Sequence, residues 1–158
     1  MAHKETTVGH IHLTVSDLDR ALTFYRDLLG FEISARYGDS AVFLSAGGYH
    51  HHIGLNTWSG KDATPPPHGH TGMYHVAFLF QSRLELAKVL KQLIGAHYPL
   101  DGAADHGVSE AVYLRDPDGN GVELYVDRPR SEWKVANDGM VEMVTEPLDM
   151  QSILKELE

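Results

Sequence analysis

The sequence predicts an α+β protein made of two βαβββ modules in a pseudo-two-fold arrangement. The first observation is an internal repeat, because His10 and Gly30 recur as His75 and Gly95, in both cases 65 residues later. The second is that each copy begins with a segment in which side chains alternate as in a strand. Apolar residues at helical spacing follow and end at Gly30 or Gly95. The third is that three more extended segments follow each helix. One such module has only a small core, so we expect the two to pack as a single domain over residues 1–127.

The first module covers about residues 6–58. Residues 8–15 alternate and are rich in β-branched side chains, which predicts a strand. Ser16, with Asp19 three residues later, has the pattern of a capping box and is predicted to begin a helix. Three further strands are predicted, separated by Gly-Asp and Gly-Gly turns, at residues 31–36, 41–45 and 50–58.

The second module covers about residues 73–127 and follows a proline-rich connector at residues 59–72. A strand is predicted at residues 73–80, and Ser82 with Glu85 repeats the capping box before a second helix. Three more predicted strands cover residues 97–102, 108–114 and 120–127. The remaining tail, residues 128–158, contains a polar loop and a short amphipathic helix, and we expect it to be a packing or dimer-forming extension.

Composition narrows the class of partner. Lys and Arg total 13 against 22 Asp and Glu, which gives a net charge of −9 and argues against nucleic acid. No apolar run reaches the ~18 to 20 residues of a membrane span, and the N-terminus lacks an apolar signal segment, so we expect a cytoplasmic protein. There are no cysteines, so any metal site must use other ligands, and the 11 histidines are the obvious source.

Three side chains are predicted to bind a metal. His10 and His75 occupy equivalent places in the two modules, so the pseudo-symmetry should turn them toward each other, and Glu123 on the last strand supplies a carboxylate. The equivalent of Glu123 in the first module is Gly54, which has no side chain. Two histidines and one carboxylate with open positions are typical of non-haem Fe(II), with Mn(II), Zn(II), Ni(II) and Co(II) as alternatives. His12, on the same strand face as His10, is an alternative ligand or a pocket-wall residue.

Two segments carry a resemblance to a known family. The chain resembles the vicinal oxygen chelate superfamily in HIHLTVSDLDRALTFYRDLLGF at residues 10–31, in YLRDPDGNGVELY at residues 113–125 and in the strand at His75. Its members include glyoxalase I, fosfomycin-resistance enzymes, bleomycin-binding proteins and extradiol dioxygenases. The resemblance covers residues 8–127. It implies paired modules that form an open, cupped sheet around a metal held by His10, His75 and Glu123.

Within this superfamily the sequence most resembles catechol 2,3-dioxygenases. Glyoxalase I carries a glutamate where Gly54 stands, which argues against glyoxalase activity here. The resemblance implies that His106 and Tyr113 hydrogen-bond the substrate oxygens, and that a histidine of the run at residues 50–52 is the acid/base. His51 aligns best with the acid/base histidine of that family. Strand alternation instead places His50 and His52 on the same face as Gly54, so His51 and His52 both stay candidates.

The predicted function is that of a metal-dependent extradiol dioxygenase, with Fe(II) as the favoured metal. It would cleave a catechol-like aromatic with O2 and would act as a homodimer or higher homo-oligomer. The alternatives are a metalloenzyme of the glyoxalase or fosfomycin-resistance type on Mn(II), Zn(II) or Ni(II), and a protein of the same superfamily that binds a drug or metabolite without chemistry.

Overall fold

The computed structural model describes residues 2–67 and 69–158, and these two stretches form two compact units. Each unit contains a mixed β-sheet and helices that pack on it. The predicted α+β class is therefore confirmed. No helix in the described part of the chain is both long and apolar enough to cross a membrane.

The first unit has the predicted βαβββ order. Its sheet has the strand order β1-β4-β3-β2, in which β1 and β4 are parallel and the other neighbours are antiparallel. The elements are β1 (Ile11–Thr14), α1 (Leu18–Leu22) with a π-helical continuation (Thr23–Leu28), β2 (Glu32–Tyr37), β3 (Ala41–Ser45) and β4 (Ile53–Asn56). The first and last predicted strands are shorter than expected, and His10 lies just before β1.

Helix α1 begins one residue later than the capping-box pattern predicts. Asp17 is the N-cap: its backbone is extended and its carboxylate accepts a hydrogen bond from the Arg20 amide at 2.9 Å. The Ser16 hydroxyl instead accepts from the Arg20 guanidinium at 2.7 Å. The prediction of Ser16 as the cap was therefore wrong, because two capping-type residues are adjacent and only the backbone geometry selects one.

The second unit repeats the same order and adds an edge strand. Its sheet has the order β5-β8-β7-β6-β9, with β5 and β8 parallel. The elements are β5 (Val76–Leu79), α2 (Arg83–Gly95), β6 (Leu100–Asp105), β7 (Ser109–Arg115), β8 (Gly121–Asp127) and β9 (Glu146–Pro147). Ser82 caps α2 as predicted, accepting from the Glu85 amide at 3.3 Å. Strand β6 begins later than predicted because His97, with φ 53°, turns the chain after α2.

The tail packs on the second unit. It forms β9 on the edge of the sheet and a short helix, α3 (Met150–Leu154), followed by a 3-10 turn (Lys155–Leu157). Ile153 of α3 is fully buried, and the Arg83 guanidinium on α2 donates to the Ser152 hydroxyl at 2.8 Å. The predicted helix is confirmed, and its apolar side is covered within its own unit.

Candidate metal and substrate site

A histidine and a carboxylate meet in the second unit. His75 immediately precedes β5, and Glu123 lies in β8, which pairs in parallel with β5 so that Ala77 is opposite Glu123. The His75 Nε2 atom is 2.9 Å from Glu123 Oε2. The Glu123 side chain is only 12% exposed, so this carboxylate is largely removed from water.

This pair fits two neighbouring ligands of one metal ion. Metal bonds of ~2.1 Å to nitrogen and oxygen, at a right angle, place the two ligand atoms ~3 Å apart. The observed separation of 2.9 Å between Nε2 and Oε2 therefore needs little rearrangement. In neither unit does the described part of the chain bring three His, Asp or Glu side chains close enough to hold a metal. Of the three predicted ligands, the structure brings His75 and Glu123 together, and metal binding by them stays a prediction.

Gly121 makes this close approach of β5 and β8 sterically allowed. A β-carbon at residue 121 would collide with the backbone oxygen of Tyr74 and would lie 3.1 Å from the His75 Cβ. Because the obstacle is mainly backbone, no side-chain rotation can relieve it. Gly121 was not among the predicted site residues, although a glycine two residues before a predicted ligand was the available signal.

Tyr113 and His106 extend the site along the sheet. Tyr113 of β7 lies opposite Glu123 of β8, and its hydroxyl is 3.3 Å from Glu123 Oε1 and 2.6 Å from His106 Nε2. Burial, and then the negative charge of Glu123, raises the pKa of Tyr113 to about 12. The phenol is therefore protonated at neutral pH and acts as a hydrogen-bond donor.

A cavity of about 430 Å³ opens beside these groups in the second unit. Its volume is in the range of small-molecule sites. Its lining residues are Tyr74, His75, Asp101, Ala104, His106, Tyr113, Leu114, Arg115, Gly121, Val122 and Thr145. Thr145 belongs to the tail, which was expected to be only a packing or dimer-forming extension. No residue-type pattern marks Thr145, so this contact could not be predicted.

The first unit places the predicted acid/base candidate beside its predicted ligand. The His51 ring lies 4.3 Å from the His10 ring and 5.1 Å from the Phe43 ring, measured between centroids. Phe43 pairs with Gly54 across the sheet. Burial, followed by the neighbouring imidazole of His10, lowers the pKa of His51. His51 is therefore neutral near pH 7 and able to accept a proton.

Strand alternation gave the wrong face for the histidine run. Because β4 begins only at Ile53, alternation does not extend back to residues 50–52, and His51 joins His10 and Phe43 instead. His52 is turned toward the loop before it, where its Nδ1 accepts from the Ala46 amide at 3.2 Å. His50 lies with its Nδ1 2.7 Å from that of His51. Of the two candidates left open, this geometry favours His51.

His12 occupies the space that a side chain at residue 54 would need. The two residues are partners in the parallel β1-β4 pair, and a β-carbon at residue 54 would lie 2.8 Å from His12 Cγ. In the second unit the corresponding pair is Ala77 and Glu123, in which the small residue is on the first strand. The first unit therefore lacks the carboxylate and also lacks room for one.

The fold agrees with comparisons to known proteins. The model of the Glyoxalase/Bleomycin resistance protein/Dioxygenase superfamily matches residues 7–124, so the chain belongs to this superfamily. A "Catechol-2,3-dioxygenase" of Bacillus subtilis is 39% identical over 154 residues, which is 98% of this chain and 53% of the relative. The chain thus spans about half the length of that relative.

Other similar proteins carry several different names. A "Biphenyl-2,3-diol 1,2-dioxygenase 3" of Rhodococcus globerulus is 31% identical over 76% of this chain and 63% of its own length. A "Metallothiol transferase FosB" of Staphylococcus epidermidis is 30% identical over 76% of this chain and 81% of its own length. A crystal structure of a lactoylglutathione lyase from Agrobacterium tumefaciens aligns with a TM-score of 0.59 at 27% identity, covering 78% of this chain and 96% of the other.

Proposed function

We propose that the protein is a metal-dependent extradiol dioxygenase that opens the ring of a catechol-like aromatic with O2. The observation that carries the proposal is the contact group of His75, Glu123, Tyr113 and His106, of which the two histidines and the tyrosine line one cavity. The names of two relatives, a catechol and a biphenyl-diol dioxygenase, support the same substrate class.

The metal would be Fe(II), held by His75, Glu123 and, as the third predicted ligand, His10. When bound, such an ion supplies a positive charge that binds both oxygens of a vicinal diol and makes their deprotonation easier. The remaining work falls to the side chains. Tyr113, protonated at neutral pH, donates to a substrate oxygen and stabilises the negative charge that develops there.

His51 is the proposed acid/base. Its lowered pKa keeps the imidazole neutral near pH 7, so the ring can accept a proton from the substrate and later donate it back. The His52 ring is turned toward the preceding loop, where its Nδ1 accepts from the Ala46 amide, whereas the His51 ring lies beside His10. In a series of variants, His51→Ala is expected to lower kcat by roughly 10²-fold or more, whereas His52→Ala is expected to change it less.

The experiment is an anaerobic reconstitution with Fe(II), followed by addition of catechols and air. We expect one O2 consumed per diol and a yellow ring-opened product. Tyr113→Phe keeps the aromatic ring and removes the donor, and is expected to lower kcat/KM by roughly 10- to 100-fold. His10→Ala tests the third ligand, since its bound metal should be lost. Fully iron-loaded protein that leaves several catechols unchanged would refute the dioxygenase proposal.

A second candidate is metal-dependent group transfer, because a relative named as a metallothiol transferase is 30% identical over three quarters of this chain. Activity with Mn(II) on an epoxide, without consumption of O2, would identify it. Glyoxalase chemistry is disfavoured by the His12 ring, which fills the space needed for a carboxylate at residue 54.

A further inference from the structure

The tail reaches the candidate site through its backbone. Strand β9 pairs with β6, so that Pro147 is opposite Ala104, and the Val144 amide donates to the His106 carbonyl at 3.2 Å. The Val144 carbonyl oxygen lies 2.7 Å from His106 Nδ1. A carbonyl oxygen can only accept a hydrogen bond, so His106 Nδ1 must carry the hydrogen.

This contact determines what the other ring nitrogen can do. In a neutral imidazole with its hydrogen on Nδ1, the Nε2 atom has a lone pair and accepts. His106 Nε2 lies 2.6 Å from the Tyr113 hydroxyl, which has one hydrogen to donate. Glu123 Oε1 is farther from that hydroxyl, at 3.3 Å, so the tyrosine hydrogen points to an accepting His106 Nε2 rather than to the carboxylate.

We propose that Val144 is a positioning residue, whose backbone carbonyl holds His106 in the Nδ1–H tautomer so that Nε2 accepts a hydrogen bond from a hydroxyl of the bound diol. This inference rests on the proposed function and specifies its substrate contacts. The diol hydroxyl replaces Tyr113 as the donor to His106, and Tyr113 then donates to the diol oxygen. A substrate that lacks a hydrogen-bearing oxygen at this place loses the first of these contacts.

The tail is fixed well enough to act in this way. On one side of Val144 it is bound to the sheet through β9, and farther along Ile153 is fully buried. Arg83 connects the end of the tail to α2 through Ser152 and Glu156, at 2.8 and 3.0 Å. These contacts do not involve the His106 side chain, so the tail is held on the sheet independently of the imidazole.

The tautomer can be measured directly by long-range ¹H–¹⁵N NMR on the full chain with ¹⁵N-labelled histidine, either metal-free or with diamagnetic Zn²⁺. His106→Gln identifies the His106 signals by their loss. We expect a pyrrole-type nitrogen at Nδ1 and a pyridine-type nitrogen at Nε2. A neutral ring with its hydrogen on Nε2 would overturn the proposal.

A matched set of glycine variants tests whether the tail controls His106. Gly107 has φ +75°, and a β-carbon there would lie 3.3 Å from Val144 Cγ2, so Val144 must yield by a few tenths of an ångström in Gly107→Ala. Adding Val144→Ala removes that methyl group and keeps the carbonyl. Gly139→Ala is the control, because Gly139 has φ +83° and no atom within 4 Å of the added β-carbon.

With catechol as the probe, Gly107→Ala is expected to raise KM and lower kcat/KM by roughly tenfold, as is common for groups that orient a functional histidine. The His106 Nδ1 signal should shift with it. Val144→Ala in the same chain should restore both, and Gly139→Ala should change neither. Failure of the rescue, or an equal effect of Gly139→Ala, would overturn the role of Val144. If no diol is turned over, the NMR result decides the inference alone, and the proposed function fails separately.

Discussion

Replacing Gly54 by alanine tests the contact between β1 and β4 most sharply. The added β-carbon would lie 2.8, 2.9 and 3.0 Å from three atoms of the His12 ring, whereas ordinary contact begins at 3.4 Å. His12 must therefore move by roughly 0.6 Å at the nearest atom. Since that atom is Cγ, at the root of the ring, rotation about χ2 does not help and χ1 must change.

The expected cost follows from what His12 loses. Its ring lies 5.2 Å from Trp58 and 5.8 Å from Phe43, between centroids, and both contacts are weakened when χ1 changes. Overpacking costs about 1–3 kcal/mol, and the exposed His12 can yield into solvent, so we expect about 1–2 kcal/mol for Gly54→Ala. For a chain of this size, that corresponds to a fall in Tm of about 2–8 °C.

The assay is thermal and urea unfolding of four proteins that form a cycle: wild type, Gly54→Ala, His12→Ala and the double variant. Without the ring, alanine at residue 54 should be stabilising by about 0.5–1 kcal/mol, because glycine is costly inside a strand. Gly102→Ala is the matched control, since Gly102 lies in β6 with nothing near the added β-carbon. If Gly54→Ala has the same cost with and without His12, the steric reasoning is wrong.

Three more predictions concern the second unit. Gly121→Ala should destabilise the chain by about 2–4 kcal/mol in urea unfolding, because its β-carbon meets the Tyr74 backbone; an unchanged midpoint would contradict this. Arg83→Met should lower the free energy of unfolding by about 2–3 kcal/mol, because Glu110 is buried and loses one of its ion-pair partners. The cost is smaller than for an isolated buried pair because Glu110 keeps Arg128. Lys88→Met, on the exposed side of α2, is the control and should have little effect. The hydrogen bond from Arg128 lowers the pKa of Asp105 below 3.8. The folded state therefore gains stability from this carboxylate above about pH 4 and loses it as the pH falls through the folded pKa. Acid unfolding of Arg128→Gln should show a flatter pH dependence than that of the wild type.

The internal repeat was predictable because its signals are local. Alternation, capping residues and terminal glycines recur at one spacing, and they placed β3 at its observed bounds and α2 within a residue. Errors occurred where two local signals compete, as at Ser16 and Asp17 before α1. They also occurred where an element is shorter than its pattern, so that His51 and His52 fall outside β4 and alternation no longer applies.

The site was predictable in its residue types and only partly in its contacts. His75, Glu123, Tyr113 and His106 were chosen from position and resemblance, and they lie close together in one unit. The role of the tail could not be predicted, because the contact with His106 uses a backbone carbonyl that any residue at position 144 provides. The overlap of His12 with residue 54 depends likewise on strand register, which a single sequence does not specify.

The most direct test of the proposed metal site is the metal content of protein purified anaerobically without chelators. Wild type, Glu123→Ala and Glu85→Ala should be compared, the last as a control because Glu85 is an exposed carboxylate on α2. We expect close to one equivalent of iron in the wild type and in Glu85→Ala, and loss of iron in a folded Glu123→Ala. Equal iron in Glu123→Ala, or no metal in any of the three, would contradict the assignment of this residue as a ligand.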